Sequence, residues 1–470
     1  MPLAKLITPK KTNLLGTFRI LFSLILIALF SPAFSQDNSP YTRYGMGDIV
    51  PSTNVNSRGM GGISAGYNDF LSINFNNPAS YGSFQAIKEV RSNKLRFGRA
   101  ILDLGVNLEN RTLRDPKITE SFTASNALFS HLQVGVPLKV NWGLSFGLRP
   151  VTRISYLIDR SERIYDPNTN LPIDSVNTLY KGDGGSYMAT MGIGHRISIN
   201  LKQSISFGVN TGYIFGRQDY SARRSFVNDS VEYKAGNFQT KTNFGSLFFN
   251  MGMQYQVSLD STLVLTFGAF GNLKHKFNAT QDMIRETYIS TLAGNLTIDS
   301  VFHQNDLEGE IEYPSSLTAG FTLKREAQAL KGGWMIGVDF NQGKWSEYRF
   351  YGQTDSVIDK WELRLGGEIR PSYSAGRKSY LGNVIYRAGF FFGRDYIKVK
   401  DQLPVWGTTL GLGLPILSQN RFSPGQVTMV NLAFEFIRRG NNNNLLTDNM
   451  FRISIGFSLS DFWFNKKKYE

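Results

Sequence analysis

Hydrophobic and polar residues alternate with a period of two along much of the chain. In residues 205–213 (ISFGVNTGY) the odd positions are apolar or bulky and the even positions are small or polar, and residues 334–341 and 451–460 repeat the pattern. Such alternation is typical of β-strands that have one apolar face. A water-soluble β-sandwich can show the same alternation, so the pattern alone does not place the protein in a membrane.

The lengths of the segments and of their connections narrow the choice. We place fourteen strands at residues 95–110, 122–139, 142–160, 185–200, 202–220, 237–258, 262–280, 311–325, 333–349, 359–371, 381–398, 405–417, 426–438 and 447–463. Many are longer than the ~5–6 residues usual in soluble sheets. Tight turns such as Val140-Asn141 alternate with long polar connections such as residues 161–184 and 281–310. Outer-membrane barrels show this asymmetry between their two ends.

The sequence therefore predicts an all-β fold, a membrane-spanning antiparallel β-barrel of about 14 strands over residues 91–470. Lipid offers no hydrogen-bond partner, so an open sheet edge would leave backbone groups unpaired, whereas a closed barrel has no edge. The lumen-facing positions are mostly Gly, Ser and Asn, which predicts a lumen that is wet or filled by another segment. A soluble all-β protein is the alternative.

The N-terminus carries the pattern of an export signal. Four cations (Lys5, Lys10, Lys11 and Arg19) precede an apolar stretch at residues 20–30, and Ala33-Phe34-Ser35 follows as a small-x-small cleavage site. The apolar stretch is shorter than the ~20 residues of a spanning helix. We predict a signal peptide at residues 1–35 and a location in the outer membrane, with an uncleaved anchor as the alternative.

Composition excludes several classes of function. The chain has no cysteine, which removes disulfides and thiolate chemistry. The formal charge is +14 and becomes about +10 without the signal peptide. Because these cations are scattered rather than clustered in a patch, we expect no nucleic-acid partner. Solvated loops explain most of the charge, and anionic outer-membrane lipid and lipopolysaccharide are the partners that suit it.

Residues 36–90 do not follow the strand pattern. They are rich in Gly, Asn and Ser, yet they carry aromatic residues that argue against disorder, namely Tyr41, Tyr44, Tyr67, Phe70, Phe75 and Tyr81. A segment of this length without a regular pattern is either a disordered linker or a segment packed inside another part of the protein. We predict that it packs in the lumen as an N-terminal hatch or plug.

Motifs in this segment resemble a known family. Arg58-Gly59-Met60-Gly61-Gly62, followed by Asn77-Pro78-Ala79, is similar to the N-terminal hatch of the FadL/TodX-type outer-membrane proteins, and residues 39–48 (SPYTRYGMGD) are similar to a Bacteroidetes branch of that family. The resemblance implies a fourteen-stranded barrel that imports long-chain fatty acids and other hydrophobic molecules. It also implies that the hatch blocks the lumen and that Asn77, Pro78 and Ala79 form a turn within it. The family's ligand contacts have no recognisable equivalent here, which leaves the substrate class open.

Pro150 is the one strand residue that stands out independently. It lies about eight residues beyond the predicted turn at Val140-Asn141, near the middle of the membrane in the third strand. Proline cannot donate to a sheet ladder, and a closed barrel has no edge for it, so we expect a bulge or kink. In the resembled family an inward kink of the third strand makes a lateral opening. Pro150 is therefore our candidate for such an opening, with an ordinary structural bulge as the alternative.

No enzymatic chemistry is predicted. Gly62-Ile63-Ser64-Ala65-Gly66 matches the G-x-S-x-G nucleophile elbow, but the elbow needs a strand before it and a helix after it, and here a glycine cluster precedes it. The histidines (His131, His195, His275 and His303) are scattered and lack metal-ligand spacing. We predict no catalytic residue, no metal site and no cofactor.

Two functions remain open, beside a weaker third, a structural barrel with no transport role. The first is passive uptake of fatty-acid-like hydrophobic small molecules, with lateral exit near the third strand. The alternative is an accessory or plug subunit of a type 9 secretion translocon, whose large barrel would be the protein partner. Trp345, Tyr348, Phe350 and Tyr351 could supply a docking surface for that partner, although an aromatic girdle at the membrane interface is the commoner reason for such a cluster.

Overall fold

The computed structural model describes residues 39–88, 95–117, 120–227, 233–291, 294–328, 331–372, 380–416 and 426–463. The strands are β1 (Asp48–Ile49), β2 (Ala86–Lys88), β3 (Leu95–Arg114), β4 (Ser121–Lys139), β5 (Trp142–Tyr165), β6 (Pro172–Ser198), β7 (Gln203–Phe226), β8 (Ala235–Ser258), β9 (Leu263–Asn272), β10 (His275–Thr291), β11 (Gly294–Tyr313), β12 (Ser316–Arg325), β13 (Gly333–Gly343), β14 (Arg349–Phe350), β15 (Lys360–Arg370), β16 (Ile385–Val399), β17 (Asp401–Ile416), β18 (Val427–Arg439) and β19 (Thr447–Trp463). One short α-helix, α1 (Val55–Arg58), and 3₁₀ helices at Pro40–Arg43, Pro78–Ser83, Trp345–Glu347 and Tyr380–Asn383 complete the elements.

The strands close into an antiparallel barrel. Each barrel strand pairs with its neighbours in the chain, and β19 pairs with β3 from Thr447 opposite Arg114 to Trp463 opposite Gly98. β9 continues upward as β10, and β11 continues downward as β12, so the wall contains fourteen strands. The predicted fold and strand count are confirmed, and ladder pairing satisfies most of the wall backbone inside a bilayer.

The outer surface of the wall carries an apolar band. On β7, for example, Phe207, Val209, Tyr213 and Phe215 point outward and are 40–49% exposed. Exposed apolar side chains also project from other wall strands, for example Leu247 and Phe249 on β8 and Phe390 and Phe392 on β16. Since exposed apolar side chains in such a continuous belt are costly in water, this surface fits hydrocarbon. Among the described residues no helix is long and apolar enough to cross a membrane.

The long polar connections are not the loops that we expected. β5 extends to Tyr165 and β6 begins at Pro172, and these extensions stay paired with each other. Residues 281–310 likewise lie almost entirely in the β10–β11 hairpin. Alternation fades in these stretches because both faces meet water, while the backbone keeps its ladder partners. The barrel therefore continues as an extracellular sheet above the apolar band.

Candidate functional site: the hatch and the seam beside β5

Residues 39–88, here called the hatch, fill the lumen. Most of the hatch side chains are buried, and Met60, Ile63 and Ala65 are fully enclosed. β2 joins the hatch to the base of β3, and the 3₁₀ helix Pro78–Ser83 packs across β5 to β8. The structure thus brings all of the hatch residues named from the sequence into the barrel interior.

The Asn-Pro-Ala motif forms a capped turn. Asn77 is the N-cap of the 3₁₀ helix, and its Oδ1 accepts a hydrogen bond from the Ala79 backbone N–H at 3.2 Å. Its Nδ2 donates to the Ala65 carbonyl at 2.8 Å, which ties the turn to the glycine-rich part of the hatch. Pro78 occupies the first helical position, where a missing N–H costs nothing. A Cβ at Gly208 would lie 2.3 Å from Pro78, so the absence of a side chain at this wall position leaves room for the turn.

Arg58 fixes the hatch to three wall strands. The side chain is 2% exposed and donates to Asn107 on β3, to Ser130 on β4 at 2.8 Å and to Ser454 on β19 at 3.2 Å. Two further bonds go to the hatch carbonyls of Pro51 and Thr53, both at 3.1 Å. Burial lowers the pKa of Arg58 to about 10, which still leaves the guanidinium charged at neutral pH. A buried cation with so many partners acts as a rigid fastening.

The glycines of the motif allow close backbone contact with the wall. Gly61 and Gly62 have φ of +72° and +85°, a region that favours glycine. The Gly61 N–H donates to Thr409 Oγ1 at 2.8 Å. Opposite, a Cβ at Gly366 would lie 2.0 Å from the Met60 carbonyl oxygen, and a Cβ at Gly268 would lie 1.9 Å from the Ala65 carbonyl oxygen. Hatch and wall meet backbone to backbone.

Asp339 is a functional contact that sequence reasoning missed. Its Oδ2 accepts hydrogen bonds from the backbone N–H groups of Ser64 and Ala65 at 2.7 and 2.9 Å. Ser64, the serine of the G-x-S-x-G match, is therefore a buried hatch residue held by a wall carboxylate. An acid at an inward-facing position of β13, between Gly337 and Asn341, was the available signal, since buried carboxylates need donors.

A charged cavity of about 190 Å³ lies between the hatch and the wall. Its lining carries seven cationic and six acidic side chains: Arg58, Arg111, Arg153, Lys360, Arg364, Arg439, Arg452, Asp48, Glu109, Glu362, Asp395, Glu435 and Asp448.

Ion pairs join most of these groups. Arg452 bridges Glu109 at 2.7 Å and Glu435 at 3.1 Å. Asp48 of the hatch accepts from Arg111 at 2.6 Å and Arg439 at 2.8 Å. Although burial alone would raise it, these two guanidinium groups hold the pKa of Asp48 well below its usual range. The network ties β1 to the wall electrostatically, since a buried charge without a partner is strongly unfavourable.

The wall beside this cavity has a seam. β4 and β5 are paired from Lys139 opposite Trp142 to Leu132 opposite Leu148, and beyond that point they separate. Pro150 lies two residues beyond Leu148 in β5, at a register shift between Pro150 and Thr152 in the pairing with β6. Beyond the shift, five of the six residues from Val151 to Tyr156 are buried, so β5 no longer alternates between a buried and an exposed face. We call the gap between residues 121–131 of β4 and residues 149–157 of β5 the seam.

The hatch closes the seam from inside. β1 pairs with the free edge of β5, with Asp48 opposite Arg153 and Ile49 opposite Thr152. The Ser39 N–H donates to the Ser155 carbonyl at 3.1 Å. Across the seam Arg153 Nη2 donates to Asn126 Oδ1 at 2.9 Å, while Arg153 Nη1 has no hydrogen-bond partner among the described residues.

The aromatic cluster at the end of β13 does not form the exposed docking surface that we considered. Trp345 and Tyr348 are only 4% and 1% exposed. Trp345 packs against Tyr396 with ring centroids 4.1 Å apart, and Tyr348 donates to the Gly45 carbonyl at 3.2 Å. The connection folds over the lumen and covers the hatch, so Trp345 and Tyr348 cannot contribute to a docking surface.

Comparison with known proteins places this architecture. The family model described as BamG matches residues 17–470. A Pseudomonas aeruginosa FadL homologue is 13% identical, with a TM-score of 0.50, over 90% of this chain and 100% of that chain. The Pseudomonas putida toluene transporter TodX is 13% identical, with a TM-score of 0.47, over 92% and 100%. No curated protein matches the chain. At such identities the likeness is one of fold, that of a FadL-type outer-membrane barrel.

Proposed function

The chain belongs to the BamG family. Because its fold is that of a FadL-type barrel, we propose that it is a non-catalytic outer-membrane barrel for passive uptake of hydrophobic small molecules. In this proposal a ligand is captured among the extracellular hairpins, the hatch shifts, and the ligand leaves sideways into the bilayer through the seam. Movement is by equilibrium diffusion, because no energy-coupling motif was found in the sequence. Outer-membrane lipid would be the immediate acceptor.

The observation that carries the proposal is how the seam is closed. Along most of the wall, strand pairing forms the seal, and this pairing has to break before anything can pass. At the seam the free edge of β5 is covered by the two residues of β1, and β1 belongs to the hatch rather than to the wall. A shift of the hatch would therefore open the seam without unpairing any two wall strands.

The ligand class that fits this place is fatty-acid-like. The cavity behind the seam contains one more cationic than acidic side chain, and Arg153 Nη1 is unpartnered. Leu128 of β4 contributes an apolar part of the cavity lining. A ligand with one carboxylate and an apolar tail would place the carboxylate on Arg153 and the tail through the seam.

A reversible cross-link tests the route. Because the chain lacks cysteine, Ile49→Cys/Thr152→Cys introduces one disulfide-forming pair, at directly opposed residues of β1 and β5. The matched control is Val134→Cys/Phe146→Cys, an opposed pair in the sealed part of β4–β5. We expect oxidation to block uptake of a fluorescent fatty acid in the first variant alone, with recovery on reduction. Equal uptake by the oxidised and reduced forms of the first variant would contradict exit through the seam.

A second candidate function is that of a subunit in a larger outer-membrane assembly, of which a type 9 secretion translocon is one. The many buried contacts that hold the hatch in the lumen, made by Arg58, Asp339 and the ion pairs of the cavity, favour this subunit role. A lumen that is kept closed by such contacts suits a barrel that acts through its outer surface. Affinity purification in mild detergent separates the two. Bound lipid in a lone barrel supports uptake, and stoichiometric co-purification with a large barrel supports a subunit role.

A further inference from the structure

The β10–β11 hairpin projects beyond the barrel as a finger, defined here by its described residues 282–291 and 294–308. β10 pairs with β8 up to Tyr288 opposite Ala235, far above the apolar band. The other edge of β11 pairs with β14 at Ile311 and Glu312, and above these residues it has no strand partner in the described part of the chain. The finger is thus the exposed end of the extracellular sheet.

The finger is acidic in a basic protein. It contains Asp282, Glu286, Asp299, Asp306 and Glu308 against the single cation Arg285, a net charge of −4, whereas the whole chain is +14. None of these five carboxylates forms an ion pair with a described residue. At its base an open groove of about 750 Å³ is lined by Glu308, Asn243 and Asn278, among others, and by Glu310, which already pairs with Lys276 at 2.6 Å. These oxygen-rich side chains suit cationic groups.

The finger also exposes apolar side chains where there is no lipid to cover them. Leu296 and Val301 are 63% and 69% exposed, Ile289 is 49% exposed, and Ile298 and Phe302 are both 39% exposed. On the neighbouring strand β8, the outward side chains are apolar at Leu247 and Phe249 and polar at Asn243 and Lys241. This change from apolar to polar lies below the finger and marks the top of the apolar band. Apolar side chains grouped above that boundary are typical of a protein interaction site.

The edge of the finger is unsuited to pairing with another strand. Three register shifts interrupt the β10–β11 ladder, after Gln281, Arg285 and Thr287. Bulges and charged residues on an edge strand are the usual protection against strand addition. Side chains, not backbone ladder bonds, would therefore make the contact.

We propose that the finger is the docking site for a second, different protein, which presents a basic and partly apolar surface outside the membrane. Charge complementarity selects this occupant. The anionic headgroups of lipopolysaccharide are repelled by the carboxylates, and a second copy would bring two acidic fingers together. The inference does not depend on whether the barrel conducts hydrophobic molecules.

Photo-cross-linking in living cells tests it with the full chain. A photoreactive amino acid is placed at Val301 in the finger, or at Leu171 in the β5–β6 turn as the matched control, which is 64% exposed. Each is combined with the charge reversal Asp299→Lys/Asp306→Lys/Glu308→Lys. Correct assembly is checked by the amount of folded barrel in the outer membrane, and adducts are mapped to peptides by mass spectrometry.

The expected result is a Val301 adduct that maps to a basic peptide of another protein and falls at least about tenfold on charge reversal, with no such adduct from Leu171. An adduct between two copies of this chain, or with lipopolysaccharide, would overturn the proposal. So would an adduct that survives charge reversal, or the absence of any adduct while the folded barrel is present at normal level. Milder Asp299→Asn/Asp306→Asn/Glu308→Gln variants replace the reversal if it lowers the amount of folded barrel.

Discussion

Replacing Arg58 with methionine should loosen the hatch without unfolding the barrel. Methionine keeps much of the apolar stem but none of the donors. Three of the five Arg58 hydrogen bonds reach the wall, at Asn107, Ser130 and Ser454. A hydrogen bond from a charged group contributes about 1.5 kcal/mol at the low end, so three such bonds suggest a loss of roughly 4 kcal/mol in hatch docking. A difference of that size is roughly a thousandfold in the open population.

Single-molecule current recording in planar lipid bilayers measures this directly. We expect wild-type protein to be electrically quiet and Arg58→Met to show frequent openings, while the strand content measured by circular dichroism is unchanged. The control is Arg217→Met, which removes an exposed pair with Asp183 at 2.9 Å, because such pairs contribute only about 0–1 kcal/mol. If Arg58→Met were as quiet as Arg217→Met, the idea that Arg58 fastens the hatch would be refuted.

Three further predictions follow from the same contacts. Burial alone would raise the pKa of Asp69, but Arg370 at 3.3 Å holds this pKa at about 2. The ordinary pKa of an aspartate is about 4. The carboxylate therefore stabilises the docked hatch fully above about pH 4, and this stabilisation is lost as the pH falls towards 2. Asp69→Asn should remove that part of the acid dependence of channel opening, and an unchanged pH profile would exclude the assignment. Gly366→Ala should undock the hatch, since the added Cβ would lie 2.0 Å from the Met60 carbonyl oxygen. The hatch should then be cleaved by protease faster in Gly366→Ala than in the control variant Gly236→Ala. Arg153→Met should reduce uptake of a carboxylate tracer several-fold and leave a neutral tracer unaffected, whereas equal effects on both would contradict a carboxylate site.

The strand count was predictable because lipid imposes a strict pattern. Outward positions such as Phe207 and Val209 must be apolar, and the inward positions between them must be small or polar, so period two survives throughout the band. Above the band both faces meet water and the pattern fades. The sequence therefore predicts a loop at residues 161–184, although all of them except the turn at residues 166–171 lie in paired strands.

The contacts of the site were only partly predictable. Arg58, the hatch glycines and the Asn-Pro-Ala turn could be named because they form local motifs, and Pro150 because proline conflicts with a closed ladder. The contacts of Asp339 with Ser64 and of Arg452 with Glu109 join residues hundreds of positions apart. Such residues become neighbours only once the register of the wall is fixed. The burial of Trp345 depends on how one connection folds over the lumen, and alternation along a strand carries no information about that.

Hydrogen exchange in lipid nanodiscs measures whether the hatch is docked as part of the barrel and whether its first residues cover the seam. We expect the amides of Gly61, Ser64 and Ala65 to exchange as slowly as those of the wall strands. We also expect a bound fatty acid to speed exchange in residues 39–50 before any wall strand responds. Rapid exchange throughout residues 39–88 in ligand-free protein would contradict docking of the hatch.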